Sequence, residues 1–139
     1  MSILALTDAI EALFPEDTHF EAVKPNERGQ YLDTLFPWTV ARVQIPTTRS
    51  RSLAHTRLAR RVRVNVTIAG VTHESVRAVY ANLDPLIQGA RPIAEGWSTS
   101  PLDLVNAREI AEDESLTLTT ANRHPVFTVL EYELTATQH

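Results

Sequence analysis

The sequence RVRVNVTI (Arg61–Ile68) alternates polar and apolar residues without a break. Its apolar positions are Val62, Val64, Val66 and Ile68, and its polar positions are Arg61, Arg63, Asn65 and Thr67. Because successive side chains of a β-strand point to opposite faces, this pattern predicts a strand with one buried face and one face in water. Such strands are typical of antiparallel sheets that are covered on one side only.

Other segments predict further strands around this one. Thr39–Ile45 and Pro125–Thr135 show the same alternation, and shorter strands are predicted at Leu102–Ile110 and Leu116–Thr119. The side chains on the more polar face of the last long strand are Phe127, Val129, Glu131 and Glu133. If that strand pairs with the valine-rich strand, its two glutamates predict cross-strand ion pairs with Arg61 and Arg63.

Two helices are predicted to cover the sheet. The first is predicted over Ile3–Phe14, where apolar residues recur at helical spacing until Pro15. The second is predicted to begin after the N-cap Thr72, and its apolar stripe consists of Val76, Val79, Tyr80, Leu83 and Ile87. Pro85 is predicted to kink or end this helix. The sequence therefore predicts a single α+β domain, with two helices on an antiparallel or mixed sheet of about four strands and one long hairpin loop.

Composition narrows the class of protein. The chain has 139 residues, which fits one domain, and it has no cysteine, which excludes disulfides and thiolate metal sites. No apolar run approaches the ~20 residues that cross a bilayer, and the first residues lack the basic region of a signal peptide. We therefore expect no membrane association and a location in the cytoplasm of the producing cell.

Charge is distributed unevenly along the chain. The net charge is −4, yet Thr34–His73 contains seven arginines and no acidic residue. The segments before and after it are both acidic. A domain dedicated to nucleic acid is usually basic overall, whereas a chain with segments of opposite sign can pair with copies of itself or with neighbours.

No catalytic, cofactor-binding or metal site is predicted. The five histidines lack the spacing of a metal motif, no GxSxG turn is present, and four glycines are too few for a phosphate-cradling loop of the usual kind. The adjacent acids Glu112, Asp113 and Glu114 could bind a divalent cation, although a solvated turn explains them better. A small enzyme stays the weakest hypothesis because no reaction can be named for it.

The arginine-rich segment Thr47–Arg60 is predicted to form the long hairpin loop. Three interpretations are open: a solvated loop, a loop that docks on acidic protein surfaces, and a nucleic-acid contact made by Arg49–Arg63. From Thr39 to Ala78 there is no aromatic residue, so base stacking on this segment is disfavoured. We favour protein docking over nucleic acid.

The order of the segments resembles that of the tail-terminator, or tail-completion, proteins of long-tailed bacteriophages. The resemblance covers nearly the whole chain and is one of pattern. It rests on the helix LTDAIEALF, the loop and strand ending in RRVRVNVTIAG, the helix THESVRAVYANLDPLI and the final strand VFTVLEYELTAT. Neck and head-completion proteins have a comparable pattern.

The resemblance implies a structural role without catalysis. Such proteins form a ring, usually a hexamer, that caps the tail tube, stops its polymerisation and presents a surface to the head connector. The implied partners are a second copy, the major tail tube protein and the head-closure protein, with DNA passing non-specifically through the ring. The implied location is the head-proximal end of the virion tail, after assembly in the host cytoplasm. On this hypothesis the candidates for a subunit or tube interface are Arg49, Arg51, Arg57, Arg60 and Arg61. The acidic candidates, for their partner or for the lumen, are Glu112, Asp113 and Glu114.

Overall fold

The computed structural model describes residues 3–20, 37–45, 50–51, 58–113 and 124–138. At its centre lie two long antiparallel strands, β3 (Leu58–Gly70) and β7 (Val126–Gln138). They pair from Ala59 opposite Thr137 to Gly70 opposite Val126, in continuous register. This pair supplies the scaffold on which every other element is placed.

Within the described residues, shorter strands extend the central pair into one seven-stranded sheet. On the β3 side lie β1 (Trp38–Gln44) and β2 (Ser50–Arg51), both antiparallel to β3. On the other side β4 (Trp97–Thr99), β5 (Asp103–Ala107) and β6 (Ala111–Glu112) each pair with β7. One edge of the sheet is therefore formed by β1 and the short β2, and the other is made of three short pieces.

The alternation of the two long strands separates a buried face from an outer face. In β3 the apolar positions Val62, Val64, Val66 and Ile68 are fully buried. In β7 the same face carries Val126, Thr128, Leu130, Tyr132, Leu134 and Ala136, all buried. The predicted division of faces is therefore confirmed in both strands, because the hydrophobic positions alone determine which side can leave water.

The helices α1 (Ile3–Glu11) and α2 (His73–Ile87) pack against the sheet and close the core. The predicted N-cap of α2 is confirmed: the Ser75 N–H donates to Thr72 Oγ1 at 3.2 Å, and the Thr72 N–H donates to Ser75 Oγ at 3.3 Å. This reciprocal capping box pairs two amide groups at the helix entrance that would otherwise lack partners.

The ends of the helices differ from the prediction by a few residues. Helix α1 ends at Glu11 rather than at Phe14. The amides of Leu13 and Phe14 instead bond three residues back, each at 3.1 Å, and this tighter turn keeps Phe14 in the core. Pro85 lies within the last turn of α2, which continues for two residues beyond it.

One polar contact ties α2 to the middle of the sheet. Tyr132, on the buried face of β7, is fully buried, and its hydroxyl donates to Asp84 Oδ1 at 2.6 Å. Burial raises the pKa of Tyr132 far above its ordinary value, and the hydrogen bond to Asp84 raises it further. The phenol is thus held in its neutral form within the core.

Three predicted segments are placed differently by the structure. Trp97, predicted in a loop, begins the strand β4. The strand predicted at Leu102–Ile110 is shorter in the structure, where β5 ends at Ala107 and contains a bulge between Leu104 and Asn106. The segment Leu116–Thr119 lies outside the described residues. The predicted C-terminal boundary of the loop Thr47–Arg60 is wrong, because β3 already begins at Leu58.

The predicted α+β class is confirmed: two helices cover one face of a curled antiparallel sheet in a single small domain. Within the residues that the structure describes, neither helix combines the length and the apolar character that a bilayer crossing requires.

Candidate interaction surface

The face of the sheet that turns away from the core, here called the outer face, carries the charged positions of the long strands. Two cross-strand ion pairs lie on it. Arg63 Nη2 donates to Glu133 Oε1 at 2.7 Å, and Arg108 Nη2 donates to Glu131 Oε1 at 3.3 Å. The predicted pairing of the arginines of β3 with the glutamates of β7 is therefore confirmed for Arg63. The hydrogen bond to Glu133, followed by the charge of Glu133, raises the pKa of Arg63 above its ordinary value.

Two exposed arginines near β1 are placed differently. Arg61 lies opposite Thr135 of β7, and Arg42 lies opposite Asn65 of β3, so neither faces a carboxylate across the sheet. Among the described residues, the structure records no ion pair for either arginine. This side of the outer face therefore carries positive charge that can interact with another molecule.

Arg60, a candidate interface residue, is not on an exposed loop. It belongs to β3, is only 4% exposed, and its guanidinium carbon lies 5.9 Å from the centre of the Trp97 ring. The physical reason is the alternation of β3: Arg60 is two residues before Val62, so its side chain points to the buried face. A guanidinium at this distance from an indole makes a cation–π contact. The expectation of an exposed Arg60 is therefore corrected.

The other arginines of the candidate set are only partly covered by the structure. Arg49 and Arg57 lie outside the described residues. Arg51 belongs to β2, where its backbone pairs with Leu58. Of the five candidates, the structure thus places the side chains of Arg60 and Arg61, and it places them on opposite faces of the sheet.

Two of the three acidic candidates, Glu112 and Asp113, lie at the opposite edge. Glu112 is an exposed residue of β6, and the Asp113 N–H donates to the Pro125 carbonyl at 2.9 Å. Glu114 lies outside the described residues. Glu109, just before β6, is exposed as well. Among the described side chains, Arg42 and Arg61 thus lie towards the β1 side of the sheet, and Glu109 and Glu112 lie along the β5–β6 side.

Potential metal ligands are not gathered in the part of the chain that the structure describes, where no group of three or more histidine and acidic side chains could hold an ion. Glu112 and Asp113 are neighbours in sequence, and no third ligand from that part of the chain joins them. The suggestion of a cation at this turn receives no geometric support from the described residues.

An apolar hollow on the outer face has no counterpart in the sequence predictions. Its volume is about 200 Å³, and its walls include Trp38, Ala69, Phe127 and Val129. The signal was present in the alternation of the last strand, which puts Phe127 and Val129 on the same face as its glutamates. The outer face is thus apolar at one end and charged at the other.

Arg42, an isolated arginine in β1, was not among the predicted interface residues, because in sequence it lies outside the dense arginine segment. No protein-family model and no curated protein sequence matches this chain.

Proposed function

We propose that this protein is a structural component of a bacteriophage virion that forms a ring, with hexameric stoichiometry, on the end of the tail tube. In this role it stops polymerisation of the tube protein and offers a surface to the head connector. The observation that carries the proposal is the order of elements: a short opening helix, a strand, a long connection, a long valine-rich strand, a capped helix and a long terminal strand. This order is the one on which the resemblance to tail-terminator proteins rests.

The charges of the sheet edges support assembly from identical copies. A closed ring requires that one surface of each subunit docks on a different surface of the next. Positive charge near β1 and negative charge along β5 and β6 provide two such surfaces of opposite sign. Complementary charge steers subunits into register more than it increases affinity.

Tube length tests the proposal. Purified protein is added to the major tail tube protein of the same phage during polymerisation, and tubes are measured by electron microscopy. We expect shorter tubes as the ratio of this protein to tube protein rises, and added density at one end of each tube. Mass measurement in solution should show a species near six times 15.5 kDa when tube protein is present.

Charge-reversal variants refine the same assay. Arg61→Glu changes an exposed arginine of the β3 outer face, and Arg91→Glu makes the same change on an exposed residue between α2 and β4. We expect the first to weaken capping and the second to leave it unchanged. A protein that stays monomeric at high concentration with tube protein, and leaves tube length unaltered, would overturn the proposal.

Two alternative functions give different results. A head-completion or neck protein would form a ring that binds the head connector without changing tube length. A nucleic-acid module using the arginines of residues 49–63 would bind duplex DNA at low salt. Its affinity would fall with a slope of about −0.9 in log K against log salt for each phosphate neutralised.

A further inference from the structure

The turn of residues 15–18, here called the acidic turn, follows α1 and presents negative charge. Residues 3–20 contain four acids and no lysine or arginine. The Thr18 N–H donates to the Pro15 carbonyl at 3.0 Å, which closes the turn with Glu16 and Asp17 at its tip. Both of these side chains are exposed, and among the described residues the structure records no ion pair for either. The acidic turn can therefore pair with a cation from another molecule.

A hollow of about 250 Å³ lies between the acidic turn and α2. On the α2 side, Val79, Leu83 and Leu86 recur at helical spacing and line it, and Leu86 is 57% exposed. On the other side, Asp17 and Thr18 of the acidic turn line it. Pockets for drug-sized molecules have about 300–1,000 Å³, so the size of this hollow suits a single side chain.

A buried hydroxyl in this hollow lacks a partner. Thr18 is only 8% exposed, and its Oγ1 has no hydrogen bond among the described residues. Buried polar atoms are almost always paired, so such an exception points to a missing group. The Asp17 carboxylate beside it accepts hydrogen bonds and carries negative charge. The group that suits both side chains is a positively charged donor.

An arginine side chain has the properties that this hollow requires. Its aliphatic stem packs on apolar walls, and its guanidinium offers five N–H donors in a planar fork that matches a carboxylate. Arg77, the arginine of α2, does not reach the hollow from its own chain, because it lies two residues before Val79 and about 200° around the helix. The occupant therefore belongs to another molecule.

Arg61 is the arginine of the outer face that best fits this role. Arg63 and Arg108 are paired with glutamates of β7, and Arg42 lines a hollow together with Glu11 of its own chain. The hollow that Arg61 lines includes a second arginine, Arg63, and no acid among the described residues. Arg61 is exposed and therefore available to a carboxylate of another molecule.

The two surfaces lie on opposite sides of the sheet. Thr39, which also lines the hollow beside the acidic turn, lies opposite Ile68 of the buried face, where α2 packs. Arg61 lies on the outer face, so it cannot enter the hollow of its own chain. A contact between them joins two copies through unlike surfaces, which is the type of contact that a closed ring repeats.

We propose that Arg61 of one copy of this chain inserts into the hollow beside the acidic turn of the next copy. Its stem packs on Leu86, and its guanidinium donates to the Asp17 carboxylate and to Thr18 Oγ1. Complementary charge fixes the orientation of the neighbouring subunits. This inference rests on the ring proposed above and names one contact that closes it.

The first test exchanges the two charges. Arg61→Glu and Asp17→Arg should each weaken self-association about tenfold in sedimentation velocity, because each variant brings like charges together. The double variant in one chain should restore self-association, since the pair is then reversed. Arg91→Glu with Glu95→Arg, both exposed between α2 and β4, is the matched control and should behave as the wild type.

The second test removes the unpartnered hydroxyl. Thr18→Val keeps the shape of the side chain, and we expect an unfolding temperature no lower than that of the wild type, because no hydrogen bond of the single chain is lost. Self-association should weaken about fivefold, as the loss of one intermolecular hydrogen bond would. Thr128→Val is the matched control: its hydroxyl donates to the Arg108 carbonyl, so its loss should lower the unfolding temperature and leave self-association unchanged.

The outcomes separate this inference from the proposed function. Normal capping by Asp17→Arg and Thr18→Val proteins that also associate as the wild type does would overturn the contact and leave capping standing. Self-association that follows the charge exchange without any effect on tube length would support the contact and overturn capping.

Other results identify a different occupant. Loss of capping by Asp17→Arg with unchanged self-association would overturn the contact between copies, because a residue of the tube protein would then fill the hollow. A double variant no better than the single ones, a control pair that also loses self-association, or a wild type that never self-associates overturns the contact as well.

Discussion

The hydrogen bond between Tyr132 and Asp84 makes a specific prediction about stability. Tyr132→Phe keeps the buried ring and removes the hydroxyl that donates to Asp84 Oδ1 at 2.6 Å. Hydrogen bonds to charged groups contribute about 1.5–3 kcal/mol, and the carboxylate would be left half-buried without this donor. We therefore expect a loss of about 2 kcal/mol in the free energy of unfolding at pH 7, or about 6–8 °C in the unfolding temperature.

The same contact predicts a pH dependence whose sign is fixed. The folded protein raises the pKa of Tyr132 above its ordinary value of 10.0, so both states keep the proton below pH 10 and the stabilisation is fully present there. Above pH 10 the unfolded chain releases the proton while the folded chain keeps it. The wild type then loses about 1.4 kcal/mol of stability per pH unit from this group. The variant lacks this loss, and the difference between the two proteins should narrow from about 2 kcal/mol to below about 1 kcal/mol at pH 11.

Urea unfolding at 25 °C, followed by far-ultraviolet circular dichroism at pH 7, 9, 10 and 11, measures both quantities. Tyr80→Phe at pH 7 is the control for the loss of a phenolic hydroxyl, because Tyr80 lies half-buried on α2 at the margin of the core. It should change the free energy of unfolding by less than about 0.5 kcal/mol at that pH. A Tyr132→Phe protein as stable as the wild type at pH 7, or a difference that stays constant from pH 9 to pH 11, would refute this account of the contact.

Two further substitutions test the placement of particular residues. Arg60→Ala should lower the free energy of unfolding by about 1–3 kcal/mol, because it removes a buried side chain packed on Trp97. Arg61→Ala should change the same free energy by less than about 0.5 kcal/mol. Thermal unfolding of both variants checks this, and equal effects would contradict the buried position of Arg60. Gly70→Ala places a Cβ against Ser75 Oγ and 3.0 Å from Val76, so the capping box must open. We expect the free energy of unfolding to fall by about 1–3 kcal/mol. A variant with an unchanged unfolding temperature would show that Ser75 moves without cost.

The parts of the fold that the sequence predicts best are those in which a periodic pattern runs without a break over many residues. The strands β3 and β7 have thirteen residues each, and both include runs of strict alternation. The hydrophobic positions alone therefore assign the buried face of each strand. The cap of α2 is equally predictable, because Thr72 and Ser75 supply the side-chain groups that a helix start requires. Short elements escape such analysis: β4 has three residues, and three residues cannot show a period.

The candidate surface was harder to predict because charge density in sequence is not charge density in space. The side chain of Arg60 leaves the surface because strand alternation turns it inward, although the same alternation, extended back from Val62, could have predicted this. Arg42 lies nearly twenty positions before Arg61 in the chain and still joins it on the outer face, because β1 pairs with β3. Strand pairing between distant segments is a tertiary property that one sequence does not reveal.

The placement of the arginines also bears on what the surface binds. Arg42 lies opposite Asn65, and Asn65 is four residues along β3 from Arg61, so the two exposed cations are about 13 Å apart at ~3.3 Å per residue. This separation exceeds the screening length of about 10 Å at 0.1 M salt, so the two charges act independently. Two independent cations would neutralise about two phosphates and give a salt slope of only about −1.8 on duplex DNA. Each can instead meet one carboxylate on the surface of another protein. The two described arginines would therefore contribute only a small, weakly salt-dependent share to any binding of duplex DNA.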